Sequence, residues 1–77
     1  MRLVYSDHAR RRMRQRAISE QDIESVVADP DIEHTDENGN PCYVGYPGGR
    51  RLRVVIARGS NPRVVKTAIA DLPEAAQ

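Results

Sequence analysis

Ile18-Ser19-Glu20-Gln21-Asp22-Ile23-Glu24-Ser25-Val26-Val27-Ala28-Asp29-Pro30 is a helix with both ends written into it. Ser19 reads as the N-cap, and Asp22 stands three residues on, where a capping box has Glu or Gln. Ile18 and Ile23 flank that cap as a hydrophobic staple. Ile23, Val26 and Val27 form one inward stripe, and Pro30 stops the pattern, so the spacing predicts a helix over 20–28. So short a helix, apolar on one side only, is unstable alone and needs a sheet to cover its stripe.

Upstream, Arg2-Leu3-Val4-Tyr5 can form a short strand, and Ser6 is a second N-cap with Asp7 in the favourable first turn. Ala9, Met13 and Ala17 then fall on an i, i+4 row, which places a first helix over 7–16. Downstream the period becomes two. Ile32, His34 and Asp36 alternate with Glu33, Thr35 and Glu37 as a weak strand, and Asn38-Gly39 favours a reversal. Residues 42–46, 51–57 and 63–70 follow as strands, separated by Pro47-Gly48-Gly49 and by a loop ending in Asn61-Pro62. The expected fold is α+β: two short N-terminal helices packed on a three- or four-stranded, mainly antiparallel sheet. On the last strand, periodicity leaves open whether Val65, Thr67 and Ile69 or Val64, Lys66, Ala68 and Ala70 face the helices.

The whole chain, 1–77, makes one domain, with 71–77 expected as a flexible tail. A domain of this size buries only about 60% of its unfolded surface. With no Trp, no Phe and three Tyr, its core must be built from small aliphatic side chains. The single Cys42 excludes an internal disulfide and a cysteine-based zinc cluster, and one unpaired thiol fits a reducing cytoplasm. The longest apolar run, at 54–57, is far too short to span a membrane. No motif calls for a cofactor, and His8 and His34 share no metal-binding spacing. A thin core would gain from a homodimer or another bound partner.

A net charge of +1 hides segregation. Residues 1–16 carry six Arg against Asp7; residues 19–37 carry eight acidic groups and no Lys or Arg; residues 38–77 are basic again. Such a dipolar surface attracts a polyanion to one side, or is consumed in internal ion pairs.

The candidate chemistry sits on the first helix. His8, Arg12 and Arg16 are four residues apart and drift by about 40° per step, so they form one ridge. Two guanidinium forks can grip an anionic backbone while an imidazole exchanges protons near neutral pH. Lys66, alone within an apolar strand, can orient a phosphate or leaving group, which gives His8, Arg12, Arg16 and Lys66 as the candidate catalytic set. Arg10, Arg11, Arg14, Arg51 and Arg53 are candidate nucleic-acid anchors. Each has a plainer reading: His8 bonded locally at the helix start, Arg12 or Arg16 paired with the acidic second helix, the others solvated. Tyr43 and Tyr46 can stack on a base or pack at the sheet rim.

The stretch His8-Ala9-Arg10-Arg11-Arg12-Met13-Arg14-Gln15-Arg16-Ala17-Ile18-Ser19 resembles the opening motif of the DUF4258 domain family, H-A-x-x-R-M-x-x-R-G-I-S, followed by an acidic helix and a proline. Ala17 departs from the pattern's glycine, which makes the interhelical turn less permissive. Asp22, Ile23, Pro30, the run 49–55 and Val65-Lys66-Thr67 continue the resemblance. The family's size and element order are similar to those of RelE-like and BrnT-like toxin domains. That similarity implies metal-independent RNA cleavage, on free RNA or a ribosome, and an antitoxin partner. The competing expectation is a noncatalytic nucleic-acid or protein interaction domain.

Overall fold

The structure, a computed structural model, describes residues 2–70, so the expected tail at 71–77 lies outside the described residues. The elements are β1 (Leu3–Tyr5), α1 (Asp7–Arg16), α2 (Glu20–Ala28), β2 (Ile32–Thr35), β3 (Pro41–Gly45), a 3-10 turn (Pro47–Gly49), β4 (Leu52–Ile56) and β5 (Arg63–Ala70). Both helices occupy the spans expected from their caps. Ser6 accepts from the Ala9 amide and Ser19 from the Asp22 amide, each at 3.0 Å.

The sheet differs from expectation in its strand count. Five strands are ordered β1-β5-β4-β3-β2 among the described residues, and the sheet is mixed. β2 through β5 are successive antiparallel neighbours, as an antiparallel meander requires. β1 adds a fifth strand because the N-terminal segment returns to pair in parallel with β5, Leu3 opposite Arg63 and Tyr5 opposite Val65. Beyond Tyr5 the chain leaves the sheet, and α1 runs on beside the rest of β5.

Neither alternation on β5 holds along its length. Val55 pairs with Thr67 but Ile56 pairs with Val65, so Lys66 is an extra residue at a bulge. A bulge moves subsequent side chains to the opposite face. Val65, Ala68 and Ala70 therefore all point to the helices, although they belong to different period-two sets. Lys66 stays exposed and Thr67 half-buried.

The core lies between this face and the helices. Ala9 and Met13 of α1, Ile18 of the link, and Ile23, Val26 and Val27 of α2 pack on Tyr43, Leu52, Val54, Ile56, Val65, Ala68 and Ala70. α1 covers β5, and α2 covers β3 and β4. The absence of a side chain at Gly45 permits this approach, since a Cβ there would lie 3.0 Å from the Val26 methyl.

Ala17 closes α1 in the left-handed region, φ 52° and ψ 51°, while the Ile18 amide donates to Met13 O. A Cβ is strained there and glycine is not. Ala17→Gly should therefore stabilise the domain by about 1 kcal/mol, read as a higher melting temperature. An unchanged or lower value would show that the turn carries no strain.

Candidate functional site

Among the described residues, no helix packs on the other face of the sheet. Two cross-strand rows run over it: Ile32–Val44–Arg53–Ile69 and His34–Cys42–Val55–Thr67. The central Val44, Cys42 and Val55 are buried by their neighbours, whereas Ile32 and Ile69 at the flanks are 49% and 46% exposed. Arg53 lies half-buried among them. Its Nη2 points at the Cys42 sulfur at 3.6 Å, and its Nε is buried without a hydrogen-bond partner among the described residues.

One hydroxyl fastens the start of α1 to β5 beside this face. Besides capping the helix, Ser6 Oγ donates to Lys66 O at 2.9 Å, and the Ser6 amide donates to Val65 O at 3.1 Å. The start of the helix is thus fastened to the bulge, and His8 follows two residues on. His8, Lys66 and Arg53 line one 340 Å³ cavity with Val55, Thr67 and Ile69; Asp36, Asn38 and Asn40 form its far wall. Arg12 and Arg16 line a neighbouring cavity of 210 Å³ against Ala68, Ile69 and Ala70. The i, i+4 ridge therefore divides between two adjoining cavities that share Ile69.

Among the described residues, the side chains of His8, Arg12, Arg16 and Lys66 make no hydrogen bond or ion pair. The ion pair considered for Arg12 or Arg16 is made by Arg10, whose Nη1 meets Glu20 Oε2 at the start of α2. Arg10 also lies over the Tyr5 ring, 4.5 Å from its centroid. Burial raises the Tyr5 phenol above its ordinary pKa, Glu20 and Glu24 add to the effect, and Arg10 opposes it. Arg10 is thus engaged on the helix side. Arg11 and Arg14 are exposed on α1, and Arg51 is exposed just before β4. None of these four lines either cavity.

Tyr43 is buried in the core, where its hydroxyl accepts from Arg63 Nη2 at 3.0 Å; it is not placed to stack on a base at the open face. Tyr46 is exposed beside the 3-10 turn. No group of three or more His, Cys, Asp or Glu positioned to hold a metal ion occurs among the described residues. No helix among them is long and apolar enough to cross a membrane.

Two contributors were not read from sequence as parts of this region. Arg50 donates to Arg16 O at 2.8 Å and to Ala17 O at 3.1 Å, satisfying carbonyls at the end of α1. Asp36 forms a cavity wall because its carboxylate accepts from the Asn38 and Asn40 amides and from Asn40 Nδ2. The signal for the second was the Asp36-Glu37-Asn38-Gly39-Asn40 turn, in which Asp bonds its own loop. The Asn40 amide chiefly lowers the Asp36 pKa below its ordinary 3.8; the Asn40 side chain, the Asn38 amide and the charge of Lys66 add to this, against partial desolvation.

With a depressed folded value, Asp36 contributes stability above the unfolded carboxylate pKa and loses it as pH falls through the folded one. The melting-temperature advantage of wild type over Asp36→Asn should therefore shrink as pH falls below 3.8. An advantage independent of pH would disprove the linkage.

The basic ridge, the capped acidic helix and the Lys66 bulge all lie within residues 5–70, the span that matches DUF4258, a domain of unknown function. The chain belongs to this family. No curated protein and no solved structure matches it. The matched span of the DUF4258 domain covers both helices, the five strands apart from the first residues of β1, and both cavities.

Proposed function

We propose that this DUF4258 domain is a metal-independent endoribonuclease of the toxin type. The observation that carries the reading is that His8, Lys66 and Arg53 line one cavity, beside the cavity of Arg12 and Arg16. His8 removes the proton from a ribose 2′-hydroxyl. The 2′-oxygen attacks phosphorus, the bond to the 5′-oxygen breaks, and a 2′,3′-cyclic phosphate remains. The leaving oxygen takes a proton from Lys66 or from water. Arg53 and the ridge arginines neutralise charge that accumulates on the phosphate oxygens, where fixed donors in a partly dry site act most strongly. The polar wall at Asp36, Asn38 and Asn40 is left for the sugar or base, because a carboxylate repels phosphate.

Similarity in size and element order to RelE-like and BrnT-like toxins supports an RNA or ribosomal substrate, a cytoplasmic setting and an antitoxin partner. This support is analogy of fold, which does not by itself fix a reaction. The rival reading is a noncatalytic nucleic-acid or protein interaction domain, favoured by the exposed Ile32 and Ile69 on the uncovered sheet face. Incubation of labelled RNA with the protein in chelator decides between them. Fragments ending in 2′,3′-cyclic phosphate, absent when the attacking hydroxyl is replaced by hydrogen, are expected. Inertness toward varied RNAs and ribosomes would overturn the nuclease.

A further inference from the structure

We infer that β5, between the uncovered face and α1, holds two consecutive phosphates of a single nucleic-acid strand, one in each cavity, with Ile69 between them. This deepens the ribonuclease reading and rests on it only for which phosphate is cleaved. The cavities are separate but adjoining, and Ile69 is the side chain they share.

Each has its own pair of cations: Lys66 and Arg53 in the first, beside His8, and Arg12 and Arg16 in the second. Arg53 brings a half-buried guanidinium to the lining of the first, a fork that suits phosphate oxygens. Successive members of the ridge advance by about 6 Å along α1, an interval of the same order as that between neighbouring phosphates in a strand. Ile69, nearly half exposed, offers an apolar surface to the sugar or base linking them.

The negative wall at Asp36 breaks the symmetry of the first cavity and drives its phosphate toward Lys66 and Arg53. His8 belongs to this cavity alone, so the phosphate held there is the one cleaved. The second acts as an anchor. A substrate with only one internal phosphate satisfies half the site, which assigns the domain to chains rather than to dinucleotides.

Binding of a short 2′-deoxy oligonucleotide, which cannot be cleaved, is measured over a range of salt concentrations. For single strands the logarithm of affinity falls with that of salt by about 0.7 per phosphate neutralised. The double variant Arg12→Gln with Arg16→Gln should lower that slope by about 0.7, and Lys66→Gln with Arg53→Gln by a similar amount. Unchanged melting temperatures show that the fold persists; a variant that melts early is replaced by Arg12→Met with Arg16→Met, which keeps the apolar stems, removes both charges and should lower the slope equally. A wild-type slope equivalent to one phosphate, or a slope unaffected by the ridge variants, overturns the two-phosphate site. Absence of binding overturns it as well. A wild type that shows both increments yet cleaves no RNA sinks the ribonuclease reading and leaves the two-phosphate site standing.

Discussion

His8→Gln should reduce RNA cleavage by about 10²–10⁴-fold while leaving RNA affinity within a small factor of wild type. Glutamine retains a hydrogen-bonding side chain of similar reach but cannot exchange a proton near neutral pH. His8 is exposed and makes no side-chain hydrogen bond among the described residues, so its replacement removes no core contact. The Ser6 cap that positions the helix is unaffected. Single-turnover cleavage, binding and melting temperature, measured on the same preparations, separate the three effects. Retained cleavage would remove His8 from the mechanism. Loss of binding by the same factor as cleavage would reduce it to a contact, and the interaction-domain reading would then lead.

The largest effect on stability belongs to Ile23→Ala. Ile23 is fully buried, and together with Val26 and Val27 it makes up the buried face of α2. Truncating such a side chain costs about 2–5 kcal/mol, through lost burial and the cavity left behind. At about 0.05–0.15 kcal/mol per residue, a chain of this length has roughly 4–12 kcal/mol in total. Each kcal/mol lost lowers melting by about 4–8 °C in a domain of this size. The variant should therefore be barely folded at physiological temperature, as seen in a urea midpoint shifted far toward zero. A midpoint near wild type would mean that the helix face contributes little and the sheet alone sustains the fold.

What sequence could and could not disclose follows the distance over which each interaction acts. Ser6, Ser19 and Pro30 fix helix ends through groups three or four residues away, and both helices stand where those residues put them. The i, i+4 spacing likewise placed His8, Arg12 and Arg16 on one side of α1. It did not indicate that the ridge would be shared between two cavities, because that depends on where β5 passes. The bulge at Lys66 arises from register between strands, and the pairing of β1 joins segments some sixty residues apart. Neither leaves a local pattern. Arg50 reaches α1 from 34 residues away, and Arg10, not its neighbours, meets Glu20 because of the angle at which Ala17 turns the chain. Composition supplied the cations; only the assembled sheet decided which of them share a space.

The hydroxyl of Ser6 has a consequence for any chemistry in this region. One oxygen caps the start of the first helix and holds the carbonyl of Lys66, whose side chain lines the same cavity as His8. The separation between the roots of His8 and Lys66 is thus set by main-chain geometry, not by the wandering of two long side chains. Both heads can remain wet and mobile at their tips while their roots keep a constant interval, so the span between them is a gauge already set before anything arrives from solvent.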